Sequence, residues 1–350
     1  AVTLAHVARP VALARALDGE PYEVHLAHHP RYREVLGDLP ACEHAIESIT
    51  PERFNAALAR GAPLYDTAAL KRYVEAESDL IARIRPVPDL PLSRALGSRV
   101  GQVLFSLARP LAFAAHCRPM RQLRRHYGLS SPGFDLRQVY SQGDYTLYAD
   151  LPSLYTTESL PDNHRFIGPV LFSTGGALPD WWRALPEGRP ILYVTPGSSG
   201  SSAMLPTILE ALAGTDFSVM LSTAGFELTT PLPENIYTAA FLPGAAAASR
   251  ADLVLCNGGS PTTHQALACG KPVLGIAGNL DQFLNMQTLT KAGAGLCLRA
   301  DRLSPRILRA AVDRMLASES FSQRADYLKQ EITHCDGAAN FRAFLREIEV

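Results

Sequence analysis

The chain has no Cys-x-x-Cys pair, no Gly-x-Gly-x-x-Gly fingerprint and no phosphate-binding loop ending in Gly-Lys-Ser/Thr. The first absence argues against a thioredoxin-like redox motif or a zinc ribbon, and the six scattered cysteines suggest buried free thiols in a reducing cytosol. The other two make dinucleotide redox chemistry and ATP hydrolysis poor fits. Charge is also sparse: 19% of residues, for a formal net charge of -1. That balance gives no broad electrostatic footprint for nucleic acid or an anionic membrane. An uninterrupted run of about 18 apolar residues is missing too. The nearest approach, Val100 to Cys117, carries Arg109 and Pro110 at its centre, so it is expected as a buried helix or the wall of an apolar pocket. No signal peptide is read at the start. The expected location is cytosolic, with a peripheral contact at a membrane surface left open.

What is present is apolar material for two cores. At 350 residues, 47% of them hydrophobic, the chain exceeds the ~250–300 residues at which single cores stop growing. Val7, Val11, Ala14 and Leu17 recur at helical spacing, predicting a helix from near His6. Strands are expected at Tyr22–His28 and Cys42–Ile49, and helices over Arg33–Leu36, Pro51–Arg60, Asp66–Arg85 and Leu92–Tyr127. This is β/α alternation whose opening strand is absent, as if the chain began inside a fold. Another strand would be wanted near Pro86. Short strands follow at Asp144–Asp150 and His164–Gly168. Gly168 to Pro190, rich in Gly and Pro, suits a connector anchored by Trp181 and Trp182.

A regular series then begins. Ile191–Thr195, Phe217–Ser222, Asn235–Phe241, Asp252–Cys256 and Pro272–Ile276 are continuous apolar strands separated by helical segments, as a parallel sheet covered on both faces requires. Helices are expected near Ser304–Ala317 and Ser320–Thr333. A last one, with Phe341, Phe344 and Leu345 on one face, closes the chain.

Two strand ends in this series open into small-residue loops. "PGSSGSS" follows Thr195, and "NGGSPTT" follows Cys256. Glycine lets backbone approach a ligand closely, and a helix N-terminus favours an anion. Ser198, Ser199, Ser260, Thr262 and Thr263 add hydroxyl donors. Each loop alone is as well explained by a tight strand-to-helix turn; two together favour a diphosphate.

From Phe241 to Gln282 the chain resembles the donor-binding signature of the family 1 GT-B nucleotide-sugar glycosyltransferases, which include macrolide and plant natural-product transferases. "FLPG" resembles the segment whose aromatic residue stacks on the base, "NGGSPTTHQAL" the phosphate and ribose segment, and "GNLDQ" the sugar-reading end. The spacings match: eight residues from Asn257 to Gln265, sixteen from there to Asp281. A weaker likeness in "LAHVARPVALARAL" extends to the start. The chain departs from the family at three positions. Asn257 stands where a histidine is usual, Gln265 where a glutamate takes the ribose hydroxyls, and Pro261 where glycine or asparagine is common. By charge alone, Gln265→Glu is expected to keep or strengthen donor binding.

The resemblance implies an α/β chain of GT-B architecture: two Rossmann-like domains with parallel sheets facing across a cleft. Residues 1–168 would form the acceptor domain, 169–189 a linker and 190–335 the donor domain. Residues 336–350 would form a helix returning to the first domain. It implies donor contacts from Gly197, Ser198, Ser199, Phe241, Leu242, Asn257, Gly258, Gly259, Ser260, Thr262 and Gln265, with Asp281 and Gln282 on the sugar. It places His6 as the base for the acceptor hydroxyl, a task histidine suits at neutral pH. An aspartate partner is implied as well; Asp79 and Asp89 lie in the right region and neither is singled out. No Asp-x-Asp occurs, in keeping with transfer that needs no metal or other cofactor beside a UDP- or dTDP-sugar co-substrate. Acceptors would be apolar small molecules or lipids. An epimerase or hydrolase on the same scaffold, or a non-catalytic nucleotide-sugar binder, are the alternatives. For the basic stretch Arg118–Gly128 a solvated helix face is the preferred reading.

Overall fold

The computed structural model describes residues 4–45, 98–131, 133–135, 143–155, 160–172, 176–186, 188–197, 202–228 and 232–348. The helices expected at Pro51–Arg60 and Asp66–Arg85, the segment near Pro86, and Asp79 and Asp89 lie outside the described residues.

The first half opens with helix α1 (Leu4–Ala16), starting slightly before the position predicted. Strand β1 (His25–His28), short helix α2 (Arg33–Leu36) and strand β2 (Cys42–Ala45) follow. β1 and β2 pair in parallel, with Val7, Val11, Leu26, Tyr32 and Leu36 buried together against them. Helix α3 (Ser98–His126) turns Cys117 and Leu123 inward, while Leu111 is 77% exposed. On its basic end Arg121 lies over the Phe134 ring and Arg124 donates to the Ser130 carbonyl, so parts of that face hold the following turn. No described helix is long and apolar enough to cross a membrane. Strands β3 (Thr146–Tyr148) and β4 (His164–Phe166) form a second parallel pair.

The second half is one six-stranded parallel sheet. Its strands are β5 (Ile191–Thr195), β6 (Ser218–Ser222), β7 (Ile236–Ala239), β8 (Leu253–Cys256), β9 (Val273–Ala277) and β10 (Gly295–Arg299), in the order β10-β9-β8-β5-β6-β7. Counted within the sheet, that is the doubly wound order 3-2-1-4-5-6, which reverses between β5 and β8. Alternation sends successive side chains to opposite faces. Leu192, Val194, Val219, Leu221, Leu253, Leu255, Leu274 and Ile276 meet helices α4 (Leu205–Leu212) and α8 (Pro305–Leu316) on one side. Tyr193, Met220, Val254, Cys256 and Val273 meet the other layer. That layer is α5 (Gly244–Arg250), α6 (Ser260–Ala268), α7 (Leu280–Lys291) and α9 (Glu319–His334). Trp181 packs into this second layer and donates to the Thr238 carbonyl at 2.8 Å.

β10 was not anticipated. Gly293 and Gly295 precede its short apolar "LCL", and as an edge strand it pairs only with β9 among the described residues. Helix α10 (Gly337–Ile348) lies against α1: Arg342 donates to the Ala16 carbonyl at 3.1 Å, and Arg346 pairs with Glu20 at 2.8 Å. Cys117 and Cys256 are buried, whereas Cys42 is exposed beside Glu23 and His25, contrary to a uniformly buried set of thiols.

Candidate functional site

In a doubly wound sheet a ligand binds outside the carboxyl ends of the strands, at the point where the order reverses. Here that point lies between the ends of β5 and β8, where Thr195 and Cys256 are register partners. The two glycine loops therefore leave neighbouring strands.

Gly197, in the first loop, has φ +67° and donates its N–H to Thr195 Oγ1 at 3.2 Å. Its missing side chain makes room for the facing loop. A Cβ there would lie 3.0–3.3 Å from the Asn257 amide. Asn257 is 3% exposed, and its Oδ1 accepts the Gly259 N–H at 3.0 Å, so the loop orients its own amide. Gly258 has φ +81°, and a Cβ there would come 2.6 Å from Met286 Cγ. Asn285 of α7 ties this loop down, donating to the Gly258 carbonyl at 2.8 Å and to Thr263 Oγ1 at 3.0 Å. These contacts aim the first turn of α6 outward. Its cap residue, Gly259, supplies no side-chain hydrogen bond, which leaves first-turn N–H groups for an anion. Ser260 and Thr262, half-buried at this end, carry hydroxyls.

Two side chains assigned to the site make hydrogen bonds within the protein. Gln265 donates its Nε2 to the Phe172 carbonyl, while its Oε1 is turned to the space that Gly244 leaves by having no Cβ. Its Nε2 is thus committed to the protein, while Oε1 keeps its capacity to accept. Gln282 is 3% exposed, and its Oε1 accepts the Gly278 N–H at 2.8 Å. Its Oε1 is thus engaged in shaping the loop before α7. The N-cap of α7 is Asn279, which accepts the Gln282 N–H at 3.0 Å; Asp281, in the first turn, is exposed. Leu242 is likewise a core residue, 4% exposed, leaving only its backbone for a ligand. Phe241 beside it is 55% exposed, an open aromatic face suited to a base. Ser198 and Ser199 lie outside the described residues. Position 6 falls within α1, but the His6 side chain is not among those described.

The structure adds residues that sequence reading passed over. Arg9 Nη2 donates to Ser260 Oγ at 2.7 Å, bringing α1 to the first residue of α6. His264, 1% exposed on α6, meets Asp150 at 2.8 Å, and Tyr155 donates to the other oxygen of that carboxylate at 3.1 Å. Burial drives the Tyr155 phenol well above its usual range; the Asp150 charge and hydrogen bond push the same way, Asp281 adds to this, and Arg9 opposes it. The one available signal was Arg9 itself, in "HVARP", three residues past His6. Nothing local links Asp150 to His264.

A family model for the C-terminal domain of the erythromycin biosynthesis protein CIII-like family matches residues 206–336. A "PGL/p-HBAD biosynthesis glycosyltransferase" of Mycobacterium tuberculosis (strain ATCC 25177 / H37Ra) is 41% identical, over 100% of this chain and 90% of that protein. A "PGL/p-HBAD biosynthesis rhamnosyltransferase" of Mycobacterium bovis (strain BCG / Pasteur 1173P2) is 42% identical, over 93% and 81%. From the same strain, an "inactive PGL/p-HBAD biosynthesis glycosyltransferase" is 40% identical, over 61% and 69%. Among solved structures, the kitacinnamycin glycosyltransferase superposes with a TM-score of 0.70 at 20% identity, covering 98% of this chain and 96% of that one. The spinosyn rhamnosyltransferase SpnG complexed with thymidine diphosphate gives 0.64 at 20% identity, covering 97% and 96%. Both likenesses are of fold.

Proposed function

This chain belongs to the family 1 GT-B nucleotide-sugar glycosyltransferases, and from that premise we propose that it moves a sugar from a UDP- or dTDP-sugar to a hydroxyl of an apolar small-molecule or lipid acceptor. The observation that carries the proposal is the meeting of the two glycine loops at the reversal point of the sheet. There Asn257 packs on Gly197, and the N-terminus of α6 opens beside them. Leaving-group charge develops on the diphosphate during transfer. Preorganised N–H groups and hydroxyls stabilise it best when they need not reorganise, and the side chains of Asn257 and Asn285 hold this loop in place beforehand. Phe241 would stack on the base, a role its exposed ring supports. The lack of an Asp-x-Asp pair supports transfer without a metal, and the family's usual course is inverting.

His6 is the base of this proposal, acting from α1 on the acceptor proton. Replacing it with alanine is expected to lower turnover by about 10²–10⁴-fold and to leave donor affinity nearly intact. The test incubates the protein with UDP- and dTDP-sugars, first alone and then with an apolar alcohol or phenol, and identifies products by mass spectrometry. A glycoside that depends on His6 supports the proposal. Free sugar or an epimer from donor alone would assign a different reaction to the same scaffold. A second reading, donor binding without turnover, is favoured by the inactive relative and by the uncharged Asn257 and Gln265; binding of donor with no product from any acceptor would select it.

A further inference from the structure

Departure of a nucleoside diphosphate leaves negative charge on the β-phosphate. Between Thr195 and Gly200, and between Cys256 and Thr263, the donor loops contain no basic residue, and Asn257 is neutral. The next residue, His264, is held by Asp150. The two donor loops thus bring dipoles but no cation of their own.

One cation does reach them, from the other half of the molecule. Arg9, on α1, crosses a separation of 251 residues to donate to Ser260 Oγ at 2.7 Å, at the first position of α6. Its Nε is shielded from solvent and has no hydrogen-bond partner among the described residues. Leaving a buried charged donor unmade is costly, and a guanidinium offers five N–H groups in a rigid fork matched to phosphate oxygens. Ser260 engages one arm of that fork, and the unpaired Nε lies on the same planar group. Arg9 also follows position 6 by three residues on α1, less than one helical turn from the proposed base.

We propose that Arg9 is a catalytic residue of the transfer, binding the β-phosphate of the nucleotide sugar and holding it as the leaving group. This rests on the reading of the site given above. In the step, the bond from sugar C1 to the β-phosphate oxygen breaks and its electron pair stays on that oxygen. The acceptor oxygen bonds to C1, and the acceptor proton passes to the base. Arg9 keeps its proton throughout and pairs with the charge that appears, supplying what Asn257 lacks.

The experiment measures UDP, dTDP and the corresponding nucleoside monophosphates by calorimetry on the full chain, for the wild type, Arg9→Gln and Arg9→Lys, with melting temperatures and turnover recorded for each. Arg9→Gln is expected to weaken the diphosphates by about 10–100-fold while monophosphate affinity stays within about twofold, because only the β-phosphate loses a charge-assisted partner. Turnover should fall with it. Arg9→Lys should recover part of both, since lysine keeps the charge but loses the fork. It also serves as the readable variant if Arg9→Gln does not fold. Equal weakening toward mono- and diphosphates would show that Arg9 only joins α1 to α6 through Ser260, and would overturn the proposal. So would unchanged diphosphate affinity. A wild-type chain that binds neither diphosphate would overturn the reading of the site itself, a separate result from the behaviour of the variants.

Discussion

His264 and Asp150 meet at 2.8 Å across 114 residues of chain, one on the donor-loop helix α6 and the other just beyond strand β3. His264 is 1% exposed, and its second ring nitrogen, Nδ1, has no hydrogen-bond partner among the described residues. The Asp150 contact is therefore the bond that satisfies this buried ring. Asp150→Ala would leave both ring nitrogens unpaired and should cost about 1–3 kcal/mol in urea unfolding. Tyr155→Phe, which removes only the neutral hydroxyl from the same carboxylate, should cost about 0.5–1.5 kcal/mol. An Asp150→Ala protein as stable as the wild type would mean the pair contributes nothing to the join.

Gln265→Glu should be harmful. A carboxylate has no N–H to give the Phe172 carbonyl, so acceptor would face acceptor where Nε2 now donates. The expected loss is about 1–3 kcal/mol of stability, with weaker nucleoside diphosphate binding in parallel. Thermal unfolding and calorimetry check it. A glutamate variant that binds donor more tightly than the wild type would restore the expectation drawn from charge alone.

Asp281 and Gln282 should separate. Gln282→Ala removes a buried side chain and the acceptor for the Gly278 N–H, so it should lower stability and weaken intact donor and free nucleoside diphosphate alike. Asp281→Ala, at an exposed position in the first turn of α7, should change stability by no more than about 1 kcal/mol. Its effect should fall on the intact donor alone. The ratio of donor to diphosphate affinity in each variant decides the matter, and equal ratios for both would remove Asp281 from the sugar.

Cys256 should be inert in the folded protein. Burial at the end of β8 pushes its thiol up to about 12, against a small opposing contribution from the Gly258 N–H, so almost no thiolate exists at pH 8. Native alkylation with iodoacetamide followed by peptide mass spectrometry should label exposed Cys42 and spare Cys256. In urea both should react. Native labelling of Cys256 at the rate of Cys42 would show that the core beneath the donor loop opens.

The amino-acid sequence by itself determined five of the six strands of the second half's sheet and the place of the loops between them. Ile191–Thr195 is a strand as predicted, because a strand buried on both faces must be apolar throughout and so announces itself without context. Gly197 and Gly258 could likewise be singled out, since left-handed backbone facing a close neighbour admits little else. β10 escaped because an edge strand that follows two glycines and carries three apolar residues has too short an apolar run to separate it from a turn. What only tertiary structure decided is the direction in which the polar side chains point. Gln265 could point either end of its amide inward, and the Phe172 carbonyl, 93 residues away, takes its Nε2. Gln282 could face a sugar or its own loop, and the Gly278 N–H turns it inward. Arg9 gains a role only when α1 is brought against Ser260. Apolar pattern is a local property, repeated along each element by the geometry of strand or helix. A hydrogen-bond partner is not local: it is whichever complementary group the folded chain delivers within about 3 Å.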